Sequence, residues 1–265
     1  MPSTMEFDRN RFDVHIARDD EEIAAAQRLR YRVFVEEMGA PAAGADHEMR
    51  LEKDRYDKVF DHLILIDRAR RPADPLNRVV GVYRLLPSDR AARHGGFYSA
   101  GEYDLSPLTG QGRKAVELGR SCVAAEYRGT VAMHLLWSAL ADYVRLHDIR
   151  LLFGVASFHG TDPAPIAHAL SHLHYNHLAP DDIRVRALPE AFLPMDILPP
   201  GEVDRTTALA QLPALIKAYL RLGGCVGEGA FIDHDFNTID VCLLMDTERM
   251  VGRYKEFYGR GALVG

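Results

Sequence analysis

Val116-Glu117-Leu118-Gly119-Arg120-Ser121-Cys122-Val123, which runs on through Glu126-Tyr127-Arg128-Gly129 into the amphipathic stretch Val131 to His147, is the segment that decides the fold. The first part, Ala115 to Ala124, is apolar enough for a buried strand. In the last part Leu135, Leu136, Leu140 and Val144 recur at helical spacing. A strand, a glycine turn and a helix N-terminus in succession make an anion site, because free N–H groups and the helix dipole both favour phosphate. A plain turn has the same look. Glu117 and Arg120 are charges set inside an apolar strand, where burial is costly unless the charge is paired or used. In a regular strand the two side chains point to opposite faces. Gly119 between them predicts a bulge that brings both to one face and splays the strand, freeing backbone N–H groups for an oxyanion. The competing reading is a structural Glu–Arg ion pair at a sheet edge.

Outward from this segment, Phe12 to Ala17 alternates like a half-buried strand, and Asp19 with Glu22 reads as a capping box opening a helix with Ile23, Ala26, Leu29, Val33 and Phe34 on one side. Gly39 and Pro41 end that helix, and a polar loop follows through Lys58. His62 to Asp67 and Val79 to Leu86 read as an antiparallel pair of strands, and Leu151 to Ala156 as another buried strand. Beyond it the sequence predicts helices at Ala164 to His174 and Leu212 to Leu222, and strands near Ala230 to Asp233 and Thr238 to Met245. This order predicts an α/β fold: a mixed, mostly antiparallel sheet flanked by helices, with a C-terminal extension. The division expected is 1–160 as the core and 161–265 as the extension packed on it. No internal repeat or low-complexity linker separates the two.

Composition narrows the functional classes. The chain has 265 residues, 47% of them hydrophobic and 26% charged, which excludes disorder, collagen and a disulfide scaffold. A net charge of −6 gives no footprint for nucleic acid. Cys122, Cys225 and Cys242 are odd in number, lack CxxC spacing and sit in apolar stretches, so they read as reduced, buried thiols of a cytoplasmic protein. The start, MPSTMEFDRNRF, has no apolar core and reads as neither signal peptide nor anchor. No run is apolar for long enough to span a membrane.

Other residues are candidates for chemistry. The loop offers Asp54, Asp57 and then Asp61, and the first helix Arg28, Arg30 and Arg32. Carboxylates suit a cationic substrate amine and arginine forks suit its carboxylate, although any solvated loop has similar spacing. Arg84, inside Gly81-Val82-Tyr83-Arg84-Leu85-Leu86, reads as a pocket residue or an edge residue. His168 and His172 have i, i+4 spacing for a metal, but no HExxH accompanies them, so no metal is expected and surface histidines are the default. Leu212 to Leu222 is an amphipathic helix for the core, for an acyl chain or for a membrane surface. Asp233 to Asp240 is an acidic turn, either solvated or lining a pocket.

A resemblance emerges in Arg30-Tyr31-Arg32-Val33-Phe34-Val35-Glu36-Glu37-Met38, Gly81 to Leu86, Gly95-Gly96-Phe97-Tyr98-Ser99, Glu117 to Val123, Phe153-Gly154 with Ser157-Phe158, Tyr219 to Gly223 and the acidic turn. Together, in order over nearly the full chain, these resemble the bacterial L-ornithine N-alpha-acyltransferases of ornithine-lipid synthesis, GNAT-superfamily proteins related to acyl-homoserine-lactone synthases. The resemblance implies a GNAT-like sheet and transfer of a 3-hydroxyacyl group from acyl carrier protein to the α-amine of L-ornithine. The expected product is lyso-ornithine lipid. It implies no bound cofactor, since the phosphopantetheine thioester arrives on the carrier protein. The expected roles are Glu117 and Arg120 in catalysis, Cys122, Val123, Arg128 and Gly129 toward the donor, and Arg30, Phe34, Asp54, Asp57, Asp61 and Arg84 toward the acceptor.

The sequence departs from the superfamily's acetyl-CoA loop, Q/R-x-x-G-x-G/A, because Arg128-Gly129-Thr130 is followed by Val131-Ala132-Met133 without the later glycines. That fits a donor other than free coenzyme A. Arg113, Lys114 and Arg128 are expected to receive the acidic carrier protein, and the amphiphilic product predicts peripheral contact with the inner membrane. Three alternatives stay open: the same chemistry on glutamine or lysine, a lactone synthase using S-adenosylmethionine, and a non-catalytic acyl or carrier-protein binding module.

Overall fold

The computed structural model describes residues 11–40, 44–109 and 112–249. The segment up to Asn10 and the helix stop at Pro41 lie outside them. In chain order the elements are β1 (Phe12–Ile16), α1 (Asp20–Arg30), a π-helical segment (Tyr31–Glu37), β2 (Asp61–Asp67), β3 (Val79–Pro87), α2 (Ser88–Arg93), β4 (Tyr103–Asp104), α3 (Ser106–Thr109), β5 (Ala115–Val123) and α4 (Ala132–Leu146). Then follow β6 (Leu151–His159), α5 (Ala167–His177), β7 (Arg186–Ala187), β8 (Phe192–Leu193), α6 (Arg205–Gln211), α7 (Ala214–Arg221), β9 (Cys225–Val226), β10 (Ala230–Asp233) and β11 (Thr238–Asp246). The fold is the mixed, mostly antiparallel sheet with helices that the pattern predicts.

The chain forms two compact units, Met1–Leu85 with Arg120–Ala141, and Leu86–Gly119 with Asp142–Gly265. In the first, β1 pairs antiparallel with β2, and β2 with β3. All nine residues of β3 are buried, so its apolar run is the signature of a strand covered on both faces. The Asp19 carboxylate caps α1 by accepting from the Glu22 N–H at 2.8 Å, and Ala25, Ala26 and Leu29 then enter the core. The predicted regular helix to Met38 instead widens after Arg30 into the π-helical segment, with Val33 buried and Phe34 half-buried.

In the second unit β6 pairs with β11 along its whole length, β11 with β10, and β10 with β8, all antiparallel. β5 and β6 pair in parallel, in a register that covers only Ala115–Glu117 against Leu151–Phe153. Gly154 comes next, and a Cβ there would lie 2.2 Å from the Leu118 carbonyl oxygen, so only glycine admits this approach. α7 turns Ile216 and Tyr219 inward, flanked by the buried Leu212 and Leu222, so its apolar face is core. Among the described residues no helix is long and apolar enough to cross a membrane.

Candidate active site

Of the predicted site residues, Glu117 lies in the second unit and the others in the first, where Arg30, Arg84, Arg120, Asp54 and Asp57 come together. In the first unit Arg30, fully buried at the end of α1, bonds the Glu52 carboxylate through Nε and the Asp57 carboxylate through Nη1 at 2.5 Å and Nη2 at 3.2 Å. Arg84 of β3, 1% exposed, donates through Nη1 to both Asp54 oxygens at 2.8 Å and to Asp57 Oδ1 at 2.9 Å. Its guanidinium carbon lies 4.6 Å from the Phe60 ring centroid. Arg120 donates to Glu52 Oε1 at 3.2 Å. Arginines from α1, β3 and β5 therefore meet three carboxylates of one loop, and the charges compensate where single ones would be very costly.

Asp57 is the most committed of the carboxylates, also accepting from Gln27 Nε2 at 2.9 Å and from the Asp54 N–H at 3.1 Å. Burial alone would push its carboxyl up, but the pull of Arg30 and then Arg84 outweighs this and holds it well below the usual carboxylate range. Asp54 is likewise lowered, burial opposing and Arg84 prevailing, and its side chain keeps 21% exposure. His62, the cross-strand partner of Arg84, is lowered chiefly by burial, and its Nε2 lies 2.9 Å from the Asp57 carbonyl oxygen. Asp61 opens β2 opposite Leu85 rather than joining the loop's acids.

These shifts act on stability in one direction. Each group is lowered in the folded state, so its contribution is full above its unfolded value and is lost as pH falls toward the folded one. Acid destabilisation is expected to begin below about pH 6.5, where an unfolded histidine takes a proton that His62 refuses, and to steepen below about pH 4 as Asp54 and Asp57 lag behind unfolded aspartates. Urea midpoints between pH 8 and pH 3 check this, and a His62→Gln variant should shrink the upper step, which His172 and His177, also lowered by burial, share, while leaving the lower one in place.

The β5 backbone departs from regular strand geometry one residue after the glycine at which the sequence predicts a bulge. Arg120, not Gly119, takes the left-handed conformation at φ 49°, a strained state for a residue with a Cβ, and its bond to Glu52 helps hold it there. Cys122 beyond it is buried, and burial pushes its thiol up to about 12. At the end of β5 Val123 accepts through its carbonyl from Arg128 Nε at 3.0 Å. The Arg128 guanidinium also grips Glu37 with both terminal nitrogens, one at 2.7 Å. Gly129 follows at φ +70°, a conformation that favours glycine, and leads into α4.

In the second unit the Glu117 carboxylate, 2% exposed, accepts from the Tyr98 N–H at 2.8 Å, the Ser99 N–H at 2.6 Å and the Ser99 hydroxyl at 2.5 Å. These are bonds suited to an ionised acceptor. The donors belong to a short 3-10 turn, Tyr98–Gly101, inside a stretch that sequence periodicity leaves unassigned. Arg113 and Lys114 also lie in this unit, while Arg128 lies in the other. Arg113 is paired with Asp182 at 3.0 Å.

Sequence reasoning missed Glu52, Ser99 and His62. Nothing local marks Glu52 among the loop's charges. Ser99 had a signal, since Gly95 to Ser99 recurs in the resemblance, but not a role. The histidines with metal-like spacing have other partners: His168 Nδ1 accepts from the Asp204 N–H at 3.2 Å, and His172 Nδ1 lies 3.1 Å from Asn176 Nδ2.

Comparison with known proteins shows the family. The L-ornithine N(alpha)-acyltransferase of Rhodobacter capsulatus is 56% identical over 249 residues, covering 94% of this chain and 95% of that one. The chain belongs to the L-ornithine N(alpha)-acyltransferases. The Brucella abortus enzyme of the same name is 43% identical, with coverage of 94% and 89%. Residues 29–138 of this acyltransferase match the acetyltransferase (GNAT) domain family, a span that holds every predicted site residue. Among solved structures, FeeM, an N-acyl amino acid synthase from uncultured soil microbes, shares the fold at TM-score 0.52 and 13% identity, covering 92% of this chain and 97% of that one. The AHL synthase LasI does so at TM-score 0.51 and 16% identity, covering 96% and 98%. The acyltransferase is thus an enzyme of ornithine acylation on a fold shared with acyl-homoserine-lactone synthases.

Proposed function

We propose that the acyltransferase moves a 3-hydroxyacyl group from the phosphopantetheine arm of acyl carrier protein to the α-amine of L-ornithine, giving lyso-ornithine lipid. The observation that carries the donor assignment is the turn before α4. Gly129 is its single glycine, and Val131-Ala132-Met133 follow where a coenzyme A loop has two more, so the backbone is less suited to wrapping a pyrophosphate.

Transfer is direct, in a ternary complex. Glu117, through a water, takes a proton from the ornithine α-ammonium, and the free amine attacks the thioester carbonyl. The oxyanion is met by backbone N–H groups near Cys122 and Val123. The C–N bond forms first, giving the tetrahedral oxyanion, whose collapse breaks the C–S bond, and the pantetheine thiolate leaves with the proton the attacking nitrogen gives up as it becomes an amide. Arg120 orients the acceptor's carboxylate. Of the loop acids, Asp54 is the one for the side-chain ammonium, since its side chain keeps 21% exposure while Asp57 is buried between Arg30 and Arg84. The enzyme works in the cytoplasm, with peripheral contact between the inner membrane and its amphiphilic product.

The buried, thiol-form Cys122 supports a route without an acyl-enzyme. Cys122→Ser is expected to keep turnover within about threefold of wild type, and its abolition with the fold intact would restore a covalent route. The donor is tested by offering purified enzyme ornithine with either 3-hydroxyacyl carrier protein or the matching acyl-coenzyme A and weighing the products by mass spectrometry. Acyl-ornithine from the carrier protein is expected, and a preference for coenzyme A overturns the assignment.

A further inference from the structure

The first unit has a face whose charge runs against that of the whole chain. The end of β1, the end of β2, the turn after β2 and the turn before α4 are tied together there by Asp67 and Glu126. Asp67 accepts from Arg11 Nη2 at 2.8 Å and from the Tyr127 hydroxyl at 2.7 Å. Glu126 accepts from Arg70 at 2.7 Å, with Arg32 at 3.8 Å. Arg68 pairs with Asp13 at 3.1 Å, Arg71 reaches back to the Arg68 carbonyl, and Arg128 holds Glu37.

Among the described residues this face therefore sets Arg11, Arg32, Arg68, Arg70, Arg71 and Arg128 against Asp13, Glu37, Asp67 and Glu126. That is a formal +2 in a chain of net −6. Its exposed charge is more positive still, because the Asp67 side chain is only 1% exposed while those of Arg11 and Arg68 are 48% and 58% exposed. Arg68 and Arg71 stand outermost on the connection between β2 and β3, and Arg70 joins them to the Glu126 turn that precedes Gly129 and α4.

We infer that this arginine face is the docking surface for the acidic carrier protein. The inference rests on the donor assignment above and replaces Arg113 and Lys114 with Arg68 and Arg71 as the main contacts beside Arg128. Two observations favour a protein bearing a phosphopantetheine arm. The excess of arginine is a fork-rich surface suited to acidic side chains. It also includes Arg128 and adjoins Gly129, the residues expected to face the donor. Rim charges of this kind act on encounter and on salt dependence more than on chemistry.

The test uses the full chain and titrates 3-hydroxyacyl carrier protein at low and moderate salt against wild type and Arg68→Glu/Arg71→Glu. The reversal is expected to raise Kd about tenfold or more at low salt, less at moderate salt, with kcat at saturating carrier protein unchanged. Arg68→Ser/Arg71→Ser, which removes charge without leaving Asp13 facing an acid, should fall between and guards against a folding defect. Unchanged Kd in both variants overturns the surface. So does a loss confined to co-sedimentation with phosphatidylglycerol vesicles, which would make this a lipid-facing patch. A wild type that ignores the carrier protein but acylates ornithine from acyl-coenzyme A overturns the donor assignment instead.

Discussion

Glu117→Gln is expected to lower kcat by about a hundred-fold or more while leaving the thermal midpoint close to that of wild type. The range follows from the usual contribution of a general base, roughly 10² to 10⁴. The variant also changes what the Tyr98–Gly101 turn sees. Three donors, two N–H groups and the Ser99 hydroxyl, converge on the carboxylate, and an amide offers one oxygen and one NH₂ in its place. Loss of a buried bond costs about 1 kcal/mol, too little by itself to account for a hundred-fold drop. Ser99→Ala separates the two effects. It removes one donor and keeps the base, so its kcat should fall only several-fold with an unchanged KM for ornithine. If Glu117→Gln turns over at the wild-type rate, the acid is a brace for the turn and the base lies elsewhere.

The second large effect is on stability. Arg30→Met is expected to cost about 3 to 5 kcal/mol, since it removes the fully buried cation that Glu52 and Asp57 share and leaves two buried carboxylates with one arginine each, Arg120 and Arg84. For a chain of this size that lowers the melting temperature by about 10 °C. Arg93→Met, which breaks the exposed Arg93–Asp89 pair at 3.0 Å, is the control and should cost between zero and about 1 kcal/mol. Arg30→Met/Asp57→Asn should recover part of the loss, because it removes one of the under-compensated buried charges. Calorimetry of the three variants checks the order. Equal small losses throughout would mean that water reaches the Arg30 network and screens it.

Much of the architecture was legible from periodicity. β10 runs over Ala230–Asp233 as read, β3 and β5 agree within a residue, and α1 starts at the predicted cap. The misses have a common cause. The widening of the first helix at Tyr31, the 3-10 turn at Tyr98 and the short helices α2 and α6 depend on what packs against them, and a 3.6 or 2.0 repeat carries no record of that. The left-handed residue at Arg120 is a similar case. Glycine next to it was the natural choice for a bulge, yet the conformation fell where Glu52 holds a side chain in place.

The site divides the same way. The sequence by itself determined the strand–turn–helix of β5 to α4, the α/β class, and the presence of charged residues in strands that bury everything else, because burying a charge is costly enough to mark the residue wherever it stands. Only the tertiary structure decided their partners. Arg30 meets Glu52 from 22 residues away, Arg120 meets it from 68, and Ser99 reaches Glu117 across 18. These pairings are set by how loops close over the sheet. That closure is an outcome of packing over the whole chain, whereas a side chain's position in the sequence informs mainly on the turn or pleat it occupies.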